Sequence, residues 1–342
     1  MIWAAAVAAA ALAGAGPNCA PHDGLSFICG PVGSEDIARI PGTRWLAASG
    51  LGLGAPGRLY LVDTRSKRAQ ELYPGRNSRA PFAGCPGPPD PAKMSTDGLT
   101  IRAGAGGRSM LYVANHGDRR AIEMFRLDAR GPRPTATWTG CAVMPAGTLP
   151  NAVAPLPGGA LVVTSFHDPD DAQAWERMAR EEPTGSVWEW RPGAGFQRLD
   201  VGPISGANGV EVGPDGRTLY VSAWSASKLV VVDLKAGRRR EIPLGFLPDN
   251  IKRAPDGSLL VGGQKTTVAS IAACHGPQCP QDWVVARVDP VRGSVVPLVA
   301  RHGDALVNYA CTGLLVGGTL YITTRGDSRI AWLPVASLPS LR

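Results

Sequence analysis

The chain has 342 residues, with 35 Lys and Arg against 28 Asp and Glu, a formal net charge of +7. A hydrophobic content of 44% fills a core and excludes a disordered chain. The 43 glycines and 31 prolines, with only 18% charged residues, suit many short strands joined by tight turns. The basic residues are scattered, and the densest run, Arg238-Arg239-Arg240, has no interleaved aromatics. No nucleic-acid partner is therefore expected, and the charge reads as solubility or attraction to an anionic surface.

In chain order, residues 2–15 come first, an apolar run too short to span a bilayer comfortably that ends in Ala13-Gly14-Ala15. Such an ending resembles a signal-peptidase site, and the alternative is an uncleaved anchor, because the segment carries no Lys or Arg. Export, secreted or periplasmic, agrees with seven cysteines free to oxidise. Cys274 and Cys279 are close enough in the chain for a local bridge, and Cys29 and Cys311 are candidates to tie the N-terminus to the last repeat. The odd total leaves at least one cysteine over.

From residue 30 to 342 the chain reads as one repetitive domain. A first copy starts at Glu35, with Trp45-Leu46-Ala47-Ala48 as its second strand. A looser one starts at Asp97, with Leu111-Tyr112-Val113-Ala114 as second strand. The third starts at Asn151 and turns at Leu156-Pro157-Gly158-Gly159. An insertion follows between His167 and Pro183 that breaks the β pattern. Asp168-Pro169 is a good helix start, and Trp175, Met178 and Ala179 share one face, so a short amphipathic helix is expected near 169–182. That helix either covers a substrate mouth, rests on the rim or touches a membrane surface.

The clearest copy starts at Asn208 and runs through Pro214-Asp215-Gly216 into Leu219-Tyr220-Val221-Ser222. A third strand spans 228–233 and a fourth 239–244. Asn250 opens the next copy, with Pro255-Asp256-Gly257 as its turn, and the last begins near Thr312. Six copies of four short antiparallel strands, about 42 to 62 residues apart, predict an all-β fold: a six-bladed β-propeller whose excess length lies in loops.

Glu35, Asn151, Asn208 and Asn250 hold the same place in their repeats, and Asp249 precedes the last. First strands line the central channel of a propeller, so these residues converge although they are distant in sequence. Asn and Asp also mark turns. In two of these repeats, however, Pro-Asp-Gly already supplies the turn some six residues later. Polar groups in a narrow channel need a partner, because leaving one unpaired costs roughly 1–3 kcal/mol. Two carboxylates and three amide carbonyls form an all-oxygen set suited to calcium.

Taken with Gly33-Ser34-Glu35-Asp36, Leu111 to His116, Ile122-Glu123-Met124-Phe125 and Ala174-Trp175-Glu176, these motifs resemble the paraoxonase (arylesterase/lactonase) family within the gluconolactonase-like propellers. The resemblance implies a calcium-dependent hydrolase of lactones or aryl esters, with Glu35, Asn151, Asn208, Asp249 and Asn250 as ligands of one catalytic ion. Small lactones or esters would be the substrates. Asp97 stands where the family has a histidine before Gly98, and is the candidate base; His116 matches the family's second histidine. Asp36 matches one ligand of a second, structural calcium, while Ala152 stands where that site takes an Asp. The alternative function is a non-catalytic propeller that binds a ligand or partner and keeps a structural calcium.

Overall fold

The computed structural model describes residues 19–52, 56–77, 84–274, 279–326 and 328–338. The expected signal segment, residues 1–15, lies outside them. Among the described residues no helix is long and apolar enough to cross a membrane.

Six sheets are arranged as the blades of a propeller, and five of them are built from four consecutive strands or, in the second, four plus a short parallel edge strand at Arg76–Asn77. The innermost strands are Ser34–Arg39, Thr96–Ala103, Pro150–Pro155, Ala207–Val212, Leu247–Arg253 and Ala310–Val316. The strands expected at 228–233 and 239–244 are Lys228–Asp233 and Arg238–Pro243. The turns that join first and second strands behave as their residues dictate. Gly216 and Gly257 adopt φ of 68° and 84°, and Asp215 accepts from the amides of Arg217 and Thr218.

The sixth blade is closed by the N-terminus. Ser26–Cys29 pairs antiparallel with Arg329–Pro334, so the first described strand is the outermost strand of the last sheet. Backbone pairing thus does what a Cys29–Cys311 bridge was expected to do. That bridge is absent: Cys29 pairs with Cys19, and Cys311 is a free, buried thiol. The two cysteines lie at opposite edges of one four-stranded blade, roughly 14 Å apart at about 4.8 Å per strand, beyond the roughly 7 Å Cα separation a disulfide spans. Cys274–Cys279 closes its local loop as expected, and Cys85–Cys141 is a third bridge. Three disulfides point to an oxidising compartment.

The core lies between blades. Ala154, Val162 and Val187 of the third blade pack on Val210, Leu219 and Val230 of the fourth, and similar clusters fill the other seams. The insertion folds as α1 (Ala174–Ala179), shorter than the expected 169–182. Asp168 to Asp171 form a turn instead, with the Asp171 amide donating to the Asp168 carbonyl, and Glu181 ends the helix at φ 57°. A second short helix, α2 (Val268–Ala273), was not expected. Met178 of α1 and Val268 and Ile271 of α2 pack with Trp224, Leu247 and Tyr309 over one end of the channel. Ala174 and Met178 of α1 are therefore turned inward with Trp175 beside them, whereas Ala179, expected on the same face, is exposed.

Candidate functional site

Every innermost strand carries an irregularity near its start. The register against the second strand shifts between Ser34 and Ile37, Thr96 and Leu99, Pro150 and Val153, Ala207 and Val210, Pro248 and Ile251, and Ala310 and Thr312. The first residues inside these bulges are Glu35, Asp97, Asn151, Asn208, Asp249 and Cys311, so the place expected for Asn250 belongs to Asp249, and Asn250 is the second bulge residue, equivalent to Asp36. A bulge re-aims a side chain at the end of a strand, and six of them around one axis produce a ring. Buried hydroxyls support the distorted backbone: Ser49 and Thr164 accept from the amides of Asp36 and Ala152, and Ser222 donates to the Asp249 carbonyl. Gly209 serves close approach and not a hairpin, because a Cβ there would meet the Asp249 carbonyl at 2.4 Å.

The ring is buried and incompletely partnered. Glu35 Oε2, Asn151 Oδ1 and Asn208 Oδ1 have no hydrogen-bond partner, although their residues are at most 8% exposed. Glu35 Oε1 accepts from Nδ2 of Asn250 at 2.6 Å. A half-turn of that amide would present its oxygen in the same place. Asp249 Oδ2 accepts from Gln264 Nε2 at 2.9 Å, and Gln264 Oε1 is in turn held by the Trp224 indole at 2.9 Å.

Charge follows the same geometry. Burial, then the charges of Asp97, Asp249 and Asp36, pushes the Glu35 carboxyl well above its ordinary range. Burial pushes Asp249 up to about 7, against the Gln264 hydrogen bond and with the charge of Asp97. The guanidinium of Arg325 interacts with Asp97, Asp249 and Glu35. Three carboxylates and one guanidinium leave a deficit that a divalent cation matches, and the orphaned oxygens are hard ligands of the kind such a cation takes. The donor set fits a divalent metal.

Asp97 Oδ2 stands 3.1 Å from His116 Nε2, which also meets the Pro150 carbonyl oxygen. Both partners are acceptors, so Nε2 carries the proton and His116 is a donor here. Asp36 is set differently from the ring. Its Oδ2 accepts from the Leu99 amide and from Lys252 Nζ, both at 2.8 Å, and its Oδ1 from Thr312 Oγ1 at 2.9 Å. The Lys252 ammonium also donates to the Leu99 carbonyl at 3.0 Å. Sequence reasoning did not find Lys252.

Above the ring lies a pocket of about 160 Å³. Phe166 and Trp175 each stand edge-on to Trp224, with ring centroids 5.3 and 6.0 Å apart. His167, Tyr309 and Arg325 complete this wall, and α1 supplies Trp175 as the helix over the mouth. Gln264, Arg325 and Cys311 were missed in the sequence. Only Cys311 carried a signal, one place before the start of the sixth repeat at Thr312.

No protein-family model matches the chain, and no curated protein matches it. Solved structures do. A gluconolactonase from Xanthomonas campestris superposes with a TM-score of 0.56 at 20% identity, over 92% of this chain and 90% of that one. A luciferin-regenerating enzyme gives 0.56 at 12% identity, over 90% and 94%. A chain of a nidogen–laminin complex gives 0.52 at 13%, over 83% and 88%. Enzymes and a protein complex share this architecture, so the likeness speaks to fold and the site must speak to function. The chain shares the six-bladed propeller fold of these structures.

Proposed function

We propose that the protein is a metal-dependent hydrolase of lactones or aryl esters, with one calcium ion held on the channel axis. One observation carries the reading: three buried oxygens from three blades, on Glu35, Asn151 and Asn208, lack partners at the floor of a pocket. Glu35, Asn151, Asn208, Asp249 and Asn250 would hold the ion. Bound there, it would polarise a substrate carbonyl and stabilise the developing oxyanion.

The chain's own residues do the rest. Phe166, Trp175 and Trp224 seat the apolar or aryl part of the substrate and exclude water from it. Asp97 takes the proton of the attacking water, because His116 is committed as a donor and orients the Asp97 carboxylate. Gln264 holds Asp249 in place. No second ion is needed at Asp36, where the Lys252 ammonium already supplies the positive charge.

The test is turnover of a panel of lactones and aryl esters by protein stripped with chelator and then reloaded with calcium. Activity lost on stripping and regained on reloading is expected. Calcium binding with no turnover on any substrate would instead support a ligand-binding propeller.

A further inference from the structure

Five of the six ring positions carry oxygen, and the sixth carries sulfur. Cys311 lies in the bulge of the last innermost strand, at the place held by Glu35, Asp97, Asn151, Asn208 and Asp249 in the others. It is fully buried and outside every disulfide. One ligand atom each of Glu35, Asp249 and Cys311 lie within 4.8 Å of one another. Glu35, a member of this cluster, has its buried Oε2 without a hydrogen-bond partner. The thiol donates to the Tyr309 carbonyl at 3.3 Å, a weak bond that a metal would replace readily.

We infer that the ring also takes a thiophilic divalent cation, of the zinc or cadmium class, through Cys311, Glu35 and Asp249, in preference to calcium. The inference rests on the reading of the ring as a cation site. Thiolate sulfur selects such ions, while carboxylate and carbonyl oxygens alone suit calcium. Ligand atoms about 3.5 Å apart surround a tetrahedral ion with bonds of about 2.0–2.3 Å, so the cluster, whose atoms lie within 4.8 Å, draws in by up to roughly 1 Å on binding. Three protein ligands would leave a fourth position open toward the pocket, as in catalytic zinc sites. One proton leaves the thiol for solvent as each ion binds. With calcium bound, the thiol keeps its proton and its bond to Tyr309.

The test uses metal-stripped full-length protein titrated with cadmium and, separately, with calcium, reading thiolate-to-cadmium charge-transfer absorption and calorimetric affinity. The wild type is expected to show the absorption at one cadmium per chain and to retain it in excess calcium. Cys311→Ser and Cys311→Ala, checked by thermal melting, are expected to lose the absorption. Their cadmium affinity should fall about tenfold or more, while their calcium affinity stays within about threefold. Calcium binding without the absorption in wild-type protein, or variants with unchanged cadmium affinity, would overturn the inference alone. If neither ion binds, the proposed function falls with it. The wild-type absorption needs no variant, so a poorly folding variant does not decide the outcome.

Discussion

Asp97 Oδ2, in the ring of bulged residues, and His116 Nε2 are 3.1 Å apart, and the same nitrogen meets the Pro150 carbonyl, so the imidazole donates between two acceptors. This arrangement divides two roles. Asp97→Asn is expected to lower kcat by about 10²-fold or more, the usual contribution of a general base, while calcium affinity changes little. His116→Gln, which keeps a donor near the same place, is expected to retain more activity than His116→Ala. A pH–rate profile of each variant on one aryl ester checks the division. A loss as large for His116→Gln as for Asp97→Asn would make the histidine the base.

Asn208 Oδ1 is an acceptor without a donor. A group of that kind is a liability of roughly 1–3 kcal/mol unless something binds it. Asn208→Leu keeps the volume and removes the liability. The metal-free variant is expected to melt no lower than the metal-free wild type, while its calcium affinity falls at least about tenfold. Thermal melts with and without calcium measure both quantities.

The raised carboxyls make metal-free stability depend on pH. Asp249 titrates at about 7 in the folded protein, driven by burial, against about 3.9 in an unfolded chain. A carboxyl raised by folding stabilises in its protonated form. Its contribution is complete below the unfolded value and is lost as pH rises through about 7. The metal-free protein is therefore expected to be more stable near pH 5 than near pH 8, by a few kcal/mol at roughly 1.4 kcal/mol per pKa unit. Calcium, which binds the ionised form, should remove or invert that slope. Denaturant melts across this range, with and without calcium, read it directly.

Lys252, largely buried, and Asp36, fully buried, form an ion pair at 2.8 Å. Removing one partner of such a pair costs about 3–5 kcal/mol, because the other charge is stranded. Lys252→Met is expected to destabilise by that order, and Asp36→Asn with Lys252→Met to recover most of the loss. A double-mutant cycle in urea measures the coupling. Strong rescue of Lys252→Met by added calcium would show that the lysine stands in for a cation.

The sequence by itself determined the blades, because alternating strands and Pro-Asp-Gly turns are local signals repeated six times. Four ring residues, Glu35, Asp97, Asn151 and Asn208, were legible for the same reason: equivalent places in a closed repeat must meet at the axis. In the fifth repeat the register was one residue late, on Asn250 instead of Asp249. Cys311 was not, because the sixth copy was aligned on Thr312 and a thiol does not look like a member of an oxygen set. Cys29 and Cys311 looked like partners along the chain, and only the width of the closed sixth blade separates them. Gln264, Lys252 and Arg325 reach the site from a second strand, a first strand and a loop. Their roles depend on which blade each one faces across the channel, and that is decided when the ring closes.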